Sequence, residues 1–175
     1  MSRPYCTRSI DAGRKEAGKE ADGLSDSKNL RASATMLECL ILGDSLAQGA
    51  AAALARSAHA TCDVVATQGI GSAAILRSTP KRAYETAVIS AGSNDPNNPN
   101  LTDNLVAIRR TLSTNRVVWI APYNRSVANL VADLARYFGD SLVDIAETPA
   151  VRDGLHPQSY RRLADLLREG GFAGR

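Results

Sequence analysis

The chain has 175 residues, 44% of them hydrophobic and 22% charged, with a net charge of +3. That length suits one domain with a sizeable core, and the composition is ordinary for a globular protein. A charge this small, without a dense Lys/Arg block, argues against a nucleic-acid partner, and no apolar run is long enough to span a membrane.

Residues 1–35 are rich in Ser, Gly, Ala and charged side chains and nearly lack large apolar ones, so a disordered N-terminal extension is expected. The segment has charges but no apolar h-region, which argues against a standard secretory signal and for a cytoplasmic protein. Met36 stands just before the first strand pattern; either it is the natural start or the tail is dispensable, and the folded domain is expected over 36–175.

From there strands and helices alternate. Leu37–Leu42 is an apolar run that breaks at Gly43, and an alanine-rich helix follows from about Leu46 to His59. Asp63–Ala66 is a short strand, Gly69–Ser72 a turn, and Ala73–Arg77 a weak helical segment. Thr86–Ser90 reads as a buried strand and Asn94–Asn100 as a polar loop. Leu101, Leu105, Ile108 and Leu112 then share a helical face, followed by a strand over Val117–Ile120. Val127, Leu130, Val131, Leu134 and Phe138 mark a fourth helix, with Ser126 as its expected N-cap. Leu142–Ile145 is the last strand, and Tyr160, Leu163, Leu166 and Leu167 line a terminal helix closed by Gly170-Gly171. The alternation predicts an α/β protein: a three-layer α/β/α sandwich on a five-stranded parallel sheet in flavodoxin-like order 2-1-3-4-5.

Three cysteines, an odd number without metal-ligand spacing, argue against a metal site. Cys39 and Cys62 fall in or beside strand patterns and are expected to be reduced core residues, and Cys6 a free thiol in the tail.

In such sheets ligand sites form at the carboxyl ends of the strands. Ser45 follows the first strand, Gly71 and Ser72 the second, Asn94 the third, Tyr123 and Arg125 the fourth, and Asp153 and His156 the last. Ser45 alone reads equally well as a helix N-cap or as a nucleophile on a tight turn. Its company favours the nucleophile. The chain has two histidines; His59 is expected at the far end of the first helix, whereas His156 falls at the right edge. Asp153, three residues earlier, can accept the His156 Nδ1–H and fix its tautomer. Asn94 and the backbone N–H groups of Ser45 and of Gly71 or Ser72 can serve as oxyanion donors. Asp44 and Asp95 are expected to brace their turns rather than move protons, and Trp119 to lie in the core.

Gly43-Asp44-Ser45-Leu46 with Gly49, then Gly92-Ser93-Asn94-Asp95, then Asp153-Gly154-Leu155-His156-Pro157 resemble the GDSL, or SGNH, hydrolases. The blocks stand in the family's order, and the resemblance covers Met36 to the C-terminus. It implies an α/β/α sandwich, Ser45 as nucleophile, His156 as base, Asp153 as its partner and Asn94 as oxyanion donor. The implied activity is ester hydrolysis: esterase, lipase, thioesterase or carbohydrate O-deacetylase. The second block departs from the family, since direct alignment places Ser72 where a glycine is usual. No cofactor or metal is implied.

The segments between strands are short, and Asn97, Asn98, Asn100, Tyr123, Asn124, Arg125 and Arg152 give a mostly polar rim. A shallow site for a small acyl ester is expected, such as an acetyl group on a polar or saccharide alcohol. Two other readings compete: a non-catalytic small-ligand binding module on the same fold, and an acyltransferase using the same serine. The first lacks both a Gly-Lys-Ser/Thr phosphate loop and a Gly-x-Gly-x-x-Gly fingerprint.

Overall fold

The computed structural model describes residues 37–56 and 62–172. The 1–35 extension, with Cys6, and Met36 and His59 lie outside those residues. The elements run β1 (Leu37–Gly43), α1 (Ser45–Ala55), β2 (Asp63–Ala66), α2 (Ser72–Ser78), β3 (Ala83–Ser90), α3 (Leu101–Thr111), β4 (Ser113–Ala121), α4 (Arg125–Phe138), β5 (Ser141–Asp144) and α5 (Tyr160–Glu169). A single 3-10 turn, Ile145–Glu147, follows β5. All five strands are parallel, in the order β2-β1-β3-β4-β5, which is the expected one.

Side chains alternate across the sheet and so divide the core in two. Cys39 and Ile41 of β1 pack with Val118 and Ile120 of β4 beneath α1 and α5, where Leu46, Leu54, Leu163 and Leu167 meet them. Leu40 and Leu42 face the other way, with Ile89 and Trp119, under α2, α3 and α4 through Ile75, Leu105, Ile108 and Val131. Trp119 is fully buried, and its indole N–H donates to Asp140 at 3.0 Å. The Arg109 guanidinium forks onto the same carboxylate at 2.6 and 2.9 Å, a pairing that hydropathy patterns do not reveal.

Strand and helix starts differ from the sequence expectation for local reasons. β3 and β4 begin at Ala83 and Ser113, several residues early, because the backbone pairing of Tyr84 with Thr114 and of Thr86 with Arg116 extends the ladder. Glu85 and Arg116 are exposed there and hide the strands from an apolar-run criterion. α4 is capped by Asn124 rather than Ser126: Oδ1 of Asn124 accepts the Val127 N–H at 3.2 Å.

The cysteines require a correction. Cys39 and Cys62 form a disulfide with their Cα atoms 4.7 Å apart, rather than remaining as reduced core thiols. The physical reason is register: Leu40 of β1 stands beside Asp63 of β2, so the residues just before them, Cys39 and Cys62, are brought side by side. An odd count and a separation of 23 residues conceal this until strand pairing is known.

Candidate active site

The strand β1 ends at Gly43 in a turn that no other residue fits. Its φ is +143°, and a Cβ there would stand 2.0 Å from the carbonyl oxygen of Ser90. Asp44 follows as the N-cap of α1, completely buried. Its Oδ1 accepts from the Leu46 N–H at 3.0 Å and the Ser90 hydroxyl at 2.7 Å, while its own N–H donates to the Ser90 carbonyl. Burial pushes its carboxyl above the usual aspartate value, against the pull of those hydrogen bonds. Asp44 takes the cap position, so Ser45 is the first helical residue and its hydroxyl is not spent on capping.

The partner comes from the far end of the chain. Between β5 and α5 the chain loops back, with Val151 N–H donating to the His156 carbonyl and Gly154 N–H to the Val151 carbonyl. Inside that loop Asp153 Oδ1 accepts the N–H groups of Leu155 and His156 at 2.8 and 3.0 Å. Its Oδ2 meets Nδ1 of His156 at 2.7 Å, and Nε2 of the same ring meets Ser45 Oγ at 2.8 Å. The carboxylate accepts the Nδ1–H, leaving the Nε2 lone pair toward the serine hydroxyl. Asp153 is held down to about 2, first by the His156 hydrogen bond and then by the two backbone N–H groups. The pair is open to solvent: the His156 and Asp153 side chains are 28% and 45% exposed.

The second strand leads to the remaining donors. The Thr67 N–H donates to the Gly43 carbonyl, which seats the 67–71 turn beside the serine turn. Gly71 is the N-cap of α2 with extended backbone. The Ser72 N–H is committed to Asp95 Oδ2 at 2.9 Å, whereas the Gly71 N–H has no acceptor among the described residues. Asn94 is exposed, and one hydrogen of its amide goes to the Ile70 carbonyl at 3.0 Å, leaving the second free.

Tyr123 and Arg125, read from sequence as rim residues, spend their polar groups within the protein. The Tyr123 hydroxyl donates to the Thr148 carbonyl at 2.9 Å. The Arg125 guanidinium forks onto Asp144 at 2.7 and 3.0 Å, tying the β4–α4 turn to β5. Sequence reading overlooked two apolar neighbours of the histidine, Val151 and Leu155, which are 39% and 40% exposed. It also overlooked Tyr160, whose hydroxyl lies 3.5 Å from the Ser45 carbonyl oxygen. Among the described residues no group of three or more His, Cys, Asp or Glu side chains is placed to hold a metal, and no helix is long and apolar enough to cross a membrane.

No protein-family model and no curated protein matches the chain. Solved structures do. The C-terminal catalytic domain of the peptidoglycan O-acetyltransferase A of Streptococcus pneumoniae superposes at a TM-score of 0.55 with 18% identity, over 77% of this chain and 92% of that one. A member of the lipolytic G-D-S-L family from Veillonella parvula gives 0.59 with 14% identity, over 75% and 96%. A carbohydrate acetylesterase family member from Sinorhizobium meliloti gives 0.57 with 16% identity, over 77% and 96%. The five-stranded parallel sheet in 2-1-3-4-5 order is therefore a fold that the chain shares with these neighbours, one of which is named for the G-D-S-L family.

Proposed function

We propose that the protein is a serine ester hydrolase that works through an acyl-enzyme on a small acyl ester. One observation carries the reading: the unbroken chain Ser45 Oγ–His156 Nε2, His156 Nδ1–Asp153 Oδ2, at 2.8 and 2.7 Å. A serine hydroxyl is a poor nucleophile until a base takes its proton, and an imidazole oriented by a carboxylate is that base.

In this mechanism His156 Nε2 removes the Ser45 proton as Oγ attacks the ester carbonyl carbon. The carbonyl oxygen gains the negative charge and is met by the Ser45 N–H, the Gly71 N–H and the free amide hydrogen of Asn94. Ser72 is left out of this set, because its N–H is taken by Asp95. As the tetrahedral intermediate collapses, His156 returns the proton to the leaving alcohol, and Asp153 stabilises the transient imidazolium. Water, deprotonated by His156, then cleaves the acyl-enzyme.

The exposure of His156 and Asp153 supports a shallow site and a small acyl group such as acetyl on a polar or saccharide alcohol. The names of two neighbours, a carbohydrate acetylesterase family member and a peptidoglycan O-acetyltransferase, fit the same chemistry. They also keep acyl transfer to an alcohol in view, since Ser45 would serve either reaction. A serine-reactive phosphonate should label the protein stoichiometrically, and Ser45→Ala should abolish it; a folded wild-type protein left unlabelled refutes the reading. Acetyl nitrophenyl esters should be cleaved faster than long-chain ones, and product analysis with competing alcohols separates hydrolysis from transfer.

The Cys39–Cys62 bond favours an oxidising compartment over the cytoplasm that the sequence led us to expect. Thiol counting on the protein isolated under alkylating conditions tests this, and two free thiols at these positions would return it to the cytoplasm.

A further inference from the structure

The loop leaving β3 folds a carboxylate against the start of α2. Oδ2 of Asp95 accepts three hydrogen bonds: from the Ser72 N–H at 2.9 Å, the Ser72 hydroxyl at 2.6 Å and the Asn98 side-chain amide at 2.9 Å. The Ser72 hydroxyl oxygen accepts in turn from Nδ2 of Asn104 on α3 at 2.9 Å. Ser72 is completely buried, and a Cβ on Gly71 would stand 2.9 Å from the same Asp95 oxygen. One residue before Asp95, Asn94 holds the Ile70 carbonyl at 3.0 Å. Two consecutive residues of one loop therefore grip Ile70 and Ser72, on either side of the Gly71 N–H.

We propose that Asp95 is a positioning residue for the oxyanion donors, holding the Gly71 N–H and the Asn94 amide in fixed relation. The proposal rests on the ester-cleaving reading above. Donors stabilise a developing oxyanion to the extent that they are already aimed at it, and a turn free to reorient loses that advantage. Hydrogen bonds to a carboxylate are about twice as strong as neutral ones, so one anion collecting three donors is a firm anchor. This also gives Ser72 a purpose where the family pattern has glycine: its hydroxyl supplies one of the three bonds and links the turn to α3.

The test compares wild type, Asp95→Ala, Asp95→Asn and Ser72→Ala on p-nitrophenyl acetate, with active sites titrated by a phosphonate. For Asp95→Ala, kcat per titrated site should fall roughly 10²- to 10³-fold, the size of one lost oxyanion donor. KM should stay within about threefold and the pH profile should keep its midpoints, because binding and the base are untouched. Asp95→Asn keeps an acceptor for the Ser72 N–H and should recover part of the loss; Ser72→Ala, which removes only the hydroxyl bond, should lose less than Asp95→Ala. A folded Asp95→Ala protein with kcat per site within about threefold of wild type overturns the proposal and leaves Asp95 as a loop brace. If Asp95→Ala does not fold, Asp95→Asn and Ser72→Ala decide, and unchanged kcat in both overturns it equally. A wild-type protein that neither cleaves the ester nor takes the phosphonate overturns the ester-cleaving reading, and this proposal falls with it.

Discussion

The ring of Tyr160 fills the space where a Cβ on Gly49 would stand, its nearest carbon 2.1 Å from that point. The first residue of α5 thus packs on α1, one turn after Ser45, and its hydroxyl reaches toward the Ser45 carbonyl. Burial, then the charges of Asp44 and Asp153, push the phenol up to about 12. Two effects oppose each other in Gly49→Ala. Helix propensity favours alanine by about 1 kcal/mol, but overpacking against the Tyr160 ring costs about 1–3 kcal/mol. The collision is expected to win, lowering Tm by several degrees, and on the proposed function kcat with it, because α1 carries Ser45. A Tm at or above that of wild type would show that α5 yields instead. Tyr160→Ala should relieve the clash, so the double variant should be less destabilised than the sum of the two changes.

Asp153 gives a pH prediction. The hydrogen bond from His156, and after it those from the Leu155 and His156 N–H groups, hold the carboxyl at about 2. A carboxyl depressed on folding adds stability above its unfolded value of about 3.9, and that contribution is lost as pH falls through about 2. Asp153 should therefore still be ionised at pH 3, and carbon-13 NMR of its carboxyl should titrate near 2; a midpoint near 4 would mean the loop does not hold it. Asp153→Asn turns an amide N–H toward Nδ1 of His156 and imposes the wrong tautomer. Its kcat should drop by about 10²- to 10⁴-fold with the fold intact, and a loss below tenfold would demote Asp153 to a loop brace.

Sheet order and motif placement were legible because both follow from short-range patterns. The apolar run Leu37–Leu42 broken by Gly43, and the alternation after it, fix a parallel sheet whose loops emerge at one edge. Pairings between distant segments that no motif marks were not legible. Whether Gly71 or Ser72 offers its N–H depends on Asp95, 23 residues beyond Ser72, and nothing near the turn announces that contact. Arg125 looked like a rim residue until Asp144, 19 residues later, took its guanidinium. Cys39 and Cys62 looked like reduced core residues until the register of β1 on β2 brought them together.

That disulfide anchors an edge. β2 is a four-residue outer strand paired only to β1, and the turn bearing Gly71 hangs from its end. Closing a loop of this length stabilises by about 3 kcal/mol on the chain-entropy estimate. Reduction with dithiothreitol, or Cys39→Ala with Cys62→Ala, should lower Tm by several degrees. Hydrogen exchange should quicken first in β2 and the 67–71 turn, while β4 and α4 keep their protection. Uniform loss of protection, or a Tm that ignores the reductant, would count against this.

Asp44 is the last residue to separate from the chemistry. It adjoins Ser45 and is completely buried, and its carboxyl is raised by burial, which are the marks of a catalytic acid. Its bonds give it another job, since Oδ1 caps α1 and holds the Ser90 hydroxyl, while the Ser45 hydroxyl pairs with His156. A carboxyl raised on folding favours its protonated form, and the stability this adds is present below about pH 3.9 and lost as pH rises through the folded value. A neutral isostere escapes that penalty. Asp44→Asn keeps an oxygen for both donors, so it should match wild type in stability at neutral pH and keep kcat within about tenfold. Asp44→Ala loses the cap bond to the Leu46 N–H, at about 0.5–2 kcal/mol, and strands the Ser90 hydroxyl, at about 1–3 kcal/mol more. Denaturant unfolding should place Asp44→Asn level with wild type and Asp44→Ala below both. If Asp44→Asn instead loses activity as completely as His156→Ala while folding normally, Asp44 moves protons after all and the triad assignment must be redrawn around it.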